Sequence, residues 1–181
     1  MNNRFIAIVS LIAAAALIRL LPQHIPNFAP MGAMALFAGV YISNRYLALS
    51  IPLLALLFSD ILIQMIGGVG FYGTGMIVVY ACTALFSILG FAISKRTNIV
   101  SVAGVSIIGS ILFFLITNCV WVYSNTFYPH NWQGIIDSYM FAIPFFKNSV
   151  VGDLFYSSVL FGGYYLLRIN VPSLKQQEVK V

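Results

Sequence analysis

The chain has 181 residues, of which 61% are apolar and 7% charged, with a formal net charge of +5. A soluble domain carries about 25% charged residues, so a fold facing water all round is excluded and an all-α, polytopic membrane protein is expected. The basic residues are scattered, with no basic stripe and no nucleic-acid motif, so no nucleic acid is expected as a partner and the charge reads as a topology signal in a lipid bilayer.

A hydrocarbon core about 30 Å thick needs roughly 20 apolar residues per helix, and six segments reach or approach that length. The first, Phe5–Leu21, follows Arg4 in the manner of a signal peptide, but it runs on through Arg19 without a cleavage site and is read as a retained helix. The second, Asn27–Ser43, is short and fronted by Pro26 and Pro30, which a helix start tolerates. The third, Leu47–Ile66, carries a carboxylate, Asp60, inside an apolar run. Phe71–Ile93 and Val100–Tyr123 are the fourth and fifth. The joints "SNR" (43–45), "GGVG" (67–70) and "SKRTN" (94–98) read as turns.

A long connection, Ser124–Ser149, then brings Phe127, Tyr128, Trp132, Tyr139, Phe141, Phe145 and Phe146. Two readings stand for it: an aromatic belt at the membrane interface, or a cover folded over a pocket. The sixth segment is Val150–Leu167, and residues 171–181 form a polar tail, so the whole of 1–181 is one six-helix domain. With six spans both termini share a side. That side collects seven basic residues, against two, Arg19 and Lys147, on the other, which places both termini in the cytoplasm.

Polar groups gather at one depth. Thirteen residues at 1.5 Å rise put Asp60 about 20 Å along the third helix, in the outer third of the bilayer. Tyr80, Asn118, Trp121, Gln64 and His130 fall toward the same side, and Arg19, His24 and Asn27 surround the junction of helices one and two. An intramembrane charge costs at least about 2.5–3.5 kcal/mol, so such groups face the bundle interior, pair, or line a wet cavity. Together they describe an outward cup with an apolar floor, which fits a binding protein better than a channel. Each has a plainer reading as well. Asp60 also reads as a salt-bridge partner locking Arg19. Asp153 reads as the cap of helix six, where a carboxylate meets free backbone N–H groups. Tyr80 reads equally as a structural hydrogen bond, and Asn118 as a bond to a neighbouring helix.

Small residues at i, i+4 spacing (Ser10/Ala14, Ala29/Ala33 and Ala35/Gly39) allow close helix contact, inside the bundle or with a partner's helix. No catalytic motif is present, and Cys82 and Cys119 lack metal-ligand spacing, so neither a metal nor a cofactor is expected.

The stretches "LIRLLPQHIPNFAPMGAMALFAGVYI", "PLLALLFSDILI", "TNCVWVY" and "AIPFFKNSVVGDLFYSSVLFG" resemble an uncharacterised family of small bacterial inner-membrane proteins, over about Leu17 to Gly163. That family is similar to the S components of energy-coupling-factor (ECF) vitamin transporters, with the solitary cobalamin-uptake S component as nearest functional relative. The resemblance implies an S-component-like bundle of six helices and a pocket for a vitamin-like solute. It also implies a small-residue face on helix one, here Ser10 and Ala14, that meets a coupling subunit working with two ATPases. It carries corrin contacts onto His24, Asp60 and Tyr80. The cobalt-ligating cysteine of the cobalamin protein has no match in "FYGTGMIVVY", and Cys82 follows the tyrosine, which leaves another corrinoid or another ligand open. The expected function is solute binding for uptake, with Asn27, Asn118 and Trp121 completing the site. The rivals are a membrane-embedded enzyme acting on a lipid or isoprenoid through His24 and Asp60, and a non-catalytic assembly subunit.

Overall fold

The computed structural model describes residues 3–21, 25–119 and 128–175. Its elements are α1 (Asn3–Ile18), α2 (Met31–Tyr41), α3 (Arg45–Met65), α4 (Thr74–Ile93), α5 (Ile99–Thr117), α6 (Trp132–Asn170) and α7 (Pro172–Lys175). All regular structure among the described residues is helical. Four helices, α3 to α6, are long and apolar enough to cross a membrane, whereas α1 and α2 are shorter apolar helices of 16 and 11 residues. Among the described residues, four rather than all six of the expected segments therefore reach spanning length.

The shortening of the second segment has a local cause. Asn27 adopts a left-handed backbone, φ 61°, and Pro26 and Pro30 bring no amide hydrogen to a helix ladder, so α2 begins only at Met31. At 1.5 Å per residue it is about 16 Å long. Every residue from Gly32 to Val40 is buried, because α1, α3, α4, α5 and α6 all pack around it. A helix apolar on all sides belongs at the centre of a bundle; α2 is that centre.

The turns fall where expected. Gly67 and Gly73 have φ of 85° and 75°, a conformation glycine adopts without steric cost, and α4 starts one residue after the second of them. Gln64 Oε1 accepts from the Gly70 and Phe71 amides and closes that turn. Asn98 and Ser101 form a reciprocal capping box on α5. Asn98→Ala should cost about 1 kcal/mol, read as a small fall in thermal midpoint in detergent micelles.

The largest departure is at the C-terminal end. The expected connection Ser124–Ser149 followed by a helix at Val150 is replaced, from Trp132 onward, by a single helix of 39 residues. Asn131 caps it by accepting from the Gly134 amide. The apolar, aromatic run that read as a surface loop has only Pro144 to interrupt it. A proline inside a helix removes one ladder bond, here to the Met140 carbonyl, and sets a place to bend without ending the helix. The helix runs antiparallel to α5: Ser157 bonds Ser106 at 3.0 Å, Ser110 donates to Asp153 at 2.7 Å, and the Tyr139 hydroxyl donates to the Leu115 carbonyl at 2.6 Å. Asp153 therefore lies 21 residues inside α6, opposite the middle of α5, and caps nothing. Pro172–Lys175 forms a helical turn against α1 and α6, with Leu174 buried.

Candidate functional site

Two polar clusters lie toward the end of the bundle away from α7. The first joins α3, α4 and the residue just after α1. The Arg19 guanidinium donates to Asp60 Oδ1 at 2.6 Å, to the Leu56 carbonyl at 3.3 Å and to the Ser59 hydroxyl. The Tyr80 hydroxyl donates to Asp60 Oδ2 at 2.7 Å. Both carboxylate oxygens are thus engaged, and Asp60 is 1% exposed. A Cβ at Gly70 would overlap the Asp60 carbonyl, so the α3–α4 turn closes directly over this point. The arrangement is an ion pair with a phenolic brace, and Asp60 and Tyr80 do not border the cavities described below.

The second cluster is a narrow cleft between α2, α4, α5 and α6. One end is lined by Phe114 and Thr117 of α5, Asn118 just beyond it, and Phe145 and Phe146 of α6. Asn27, Phe113 and Ser149 continue it inward. At its base lie Asp153, Thr83 and Gly32, around a cavity of about 30 Å³. Asp153, Thr83 and Ser149 are all buried. The carboxylate reaches the α2 backbone because residue 32 is glycine: a Cβ there would overlap Asp153 Oδ1 and the Phe86 ring. Phe28 packs on Phe155 and Tyr156 at ring distances of 5.6 and 5.3 Å. Asn148 donates to the Pro26 carbonyl at 3.0 Å. These two contacts hold Asn27 on the cleft wall.

Of the sequence-expected site residues, Asn27 and Asn118 line this cleft, while Asp60 and Tyr80 sit in the ion-pair cluster. His24 and Trp121 lie outside the described residues. The Asn118 side chain donates to the Phe114 carbonyl of its own helix at 2.8 Å, and its backbone carbonyl accepts from Ser138. Ser10 and Ala14 fall on the exposed face of α1, opposite the buried Ile8, Ile12, Ala15 and Ala16. Asp153, Thr83 and Ser149 were not expected in the site. Their signal was nonetheless present: Ser149, Asp153 and Ser157 recur every four residues on α6, and Ser106 and Ser110 do so on α5, which places polar stripes on two helix faces.

Fold and site together define an all-helical bundle, apolar enough to live in a membrane, with a polar cleft between α2, α4, α5 and α6. The chain belongs to the DUF6580 family, a family of unknown function, whose model matches residues 1–174. No curated protein and no solved structure matches it.

Proposed function

We propose that this protein is a membrane-embedded binding subunit for uptake of a small, vitamin-like solute, of the S-component type its sequence resembles. In this reading the chain passes the bacterial inner membrane six times with both termini in the cytoplasm, the two shorter helices completing the bundle. The cleft then faces outward. The observation that carries the reading is the cleft itself, with amide groups of Asn27 and Asn118, rings of Phe114, Phe145 and Phe146, and a buried carboxylate at its base. Aromatic walls with a few placed polar groups are the usual make-up of a small-molecule site. The small-residue face of α1, with Ser10 and Ala14 exposed, supports contact with a coupling subunit's helix.

Size directs the choice of solute. The cavities in the cleft measure about 30 and 10 Å³, whereas pockets for drug-sized ligands measure roughly 300–1,000 Å³. Solute entry therefore requires the cleft to open, and a corrin is disfavoured against a smaller molecule. Pro144 stands beside Phe145 and Phe146 in α6, so a bend there would shift both rings relative to α5.

Equilibrium binding by purified protein to a vitamin panel that includes cobalamin and cobinamide tests the proposal. Saturable binding of a solute smaller than a corrin is expected, weakened about tenfold or more by Phe146→Ala or Asn27→Ala. Pro144→Ala restores the missing ladder bond and should weaken apparent binding by depopulating the open state, on the order of tenfold for 1.4 kcal/mol. No saturable binding by protein with intact helical content, across the whole panel, overturns the reading.

A further inference from the structure

The base of the cleft gathers more acceptor oxygen than one polar contact to a solute needs. Asp153 is 7% exposed. Its Oδ2 accepts from Ser110 at 2.7 Å, and its Oδ1 lies against Gly32 with no donor among the described residues. Among the described residues, no arginine, lysine or histidine borders this cavity. The neighbouring hydroxyl groups have their hydrogens committed elsewhere. Thr83 donates to the Val79 carbonyl at 2.9 Å and Ser149 to the Phe145 carbonyl at 3.2 Å. What Thr83 and Ser149 leave for the cavity is oxygen lone pairs, and Asn27 adds an amide whose oxygen also accepts. A carboxylate, two hydroxyl oxygens and an amide oxygen, with no cationic side chain beside them among the described residues, make a cage rich in acceptors in which an unpaired charge is costly.

We propose that this cage holds one monovalent cation of sodium size, bound by Asp153 with Thr83, Ser149 and Asn27. Hard alkali cations take oxygen ligands. The cavity volume of about 30 Å³ has room for a single ion or an ion with one water. Asn27 comes to the cleft at its exposed edge, on non-helical backbone between Pro26 and Pro30, and unwound segments of this kind supply ligands at transporter ion sites. The inference goes beyond the solute reading and stands without it, because the ion would bind whether or not any vitamin-like molecule does. If both hold, the ion at the base and the solute above it share Asn27 and Ser149, which links their occupancies.

Thermal unfolding of the full chain in detergent micelles tests it, in NaCl, KCl and choline chloride at equal ionic strength and over a range of pH. A midpoint that rises saturably with sodium, less with potassium and not with choline is expected, with the sodium dependence lost in Asp153→Asn. Should Asp153→Asn fail to fold, Thr83→Val serves, with a sodium half-saturation concentration raised about tenfold, the equivalent of one lost ligand at roughly 1.4 kcal/mol. Equal effects of the three salts overturn the proposal. So does a midpoint that follows pH in the native chain but not in Asp153→Asn while ignoring sodium, since Asp153 is the titratable group bordering the cavity and would then carry a proton instead. Failure of the vitamin panel alongside a sodium response leaves the ion site standing and removes only the solute.

Discussion

Arg19→Ala is expected to lower the stability of the folded chain by about 3–5 kcal/mol, the cost of leaving one member of a buried ion pair uncompensated. Asp60 would keep only the Tyr80 hydroxyl at 2.7 Å and the α3 environment around it, where it is 1% exposed. Asp60→Ala should cost a similar amount from the other side, since the Arg19 side chain is itself 12% exposed. Tyr80→Phe removes one bond to a charged acceptor and should cost less, about 1.5–3 kcal/mol. The decisive variant is the apolar double replacement Arg19→Met with Asp60→Leu. A buried pair exchanged for well-packed apolar side chains is often neutral in stability, so the double variant should recover most of the loss. Unfolding midpoints of the four variants in micelles measure this. They also separate the two roles open to Asp60 from sequence alone. A lock predicts that the recovered double variant binds solute as the native chain does; a ligand contact predicts recovered folding with binding abolished. The engagement of both carboxylate oxygens favours the first result.

Much of the bundle is readable from the chain because three of its helices are bounded by residues whose physics is local. The expected third and fourth helices end within one residue of the observed Met65 and at the observed Ile93, and the expected fifth starts one residue after Ile99. Glycines at 67 and 73 and the Asn98 cap act on their own neighbours and need no tertiary partner. Hydropathy misjudged what packing decides. Residues 27–30 are apolar enough to extend a helix, but they serve as an irregular strap against Gly152 of α6, where a Cβ would meet Phe28 at about 3.2 Å. Residues 132–149 carry the aromatic content of an interface loop, yet they pack along α5, with Phe146 and Tyr139 on Phe114 at 4.8 and 5.4 Å.

The same error moved the site. A helix beginning at Val150 puts Asp153 in a first turn, where a carboxylate has an ordinary capping task; a helix beginning at Trp132 puts it in mid-bundle. The gathering of polar groups toward one end was legible. Their division into an ion-pair lock around Asp60 and an acceptor cage around Asp153 was not, because it depends on which helices face each other. That pairing follows from α2, the shortest of the apolar helices, occupying the centre.

Gly39→Val is the substitution expected to disrupt that centre most. The α2 and α4 backbones meet at Gly39 and Gly90: a Cβ at residue 90 would lie 2.6 Å from the Leu36 carbonyl oxygen and 2.9 Å from the Gly39 Cα, and one at residue 39 would overlap the Ser87 carbonyl. Ser87 fastens the crossing by donating to the Ala35 carbonyl at 3.0 Å. Membrane helices associate through such close backbone approach, since lipid supplies no hydrophobic drive between them. The Ala35/Gly39 pair thus serves internal packing. Overpacking a core usually costs about 1–3 kcal/mol because side chains can shift; here the obstacles are backbone atoms of both helices, so separation of α2 from α4 is the remaining response. Gly39→Val should therefore cost at least about 3 kcal/mol and yield little monodisperse protein in micelles. Gly104 of α5 is the control, with open space where its Cβ would stand. Gly104→Ala should stabilise the chain by about 0.5–1 kcal/mol through helix propensity alone. If both variants unfold at the native midpoint, the two helices do not cross at these glycines, and the central position of α2 falls with the crossing.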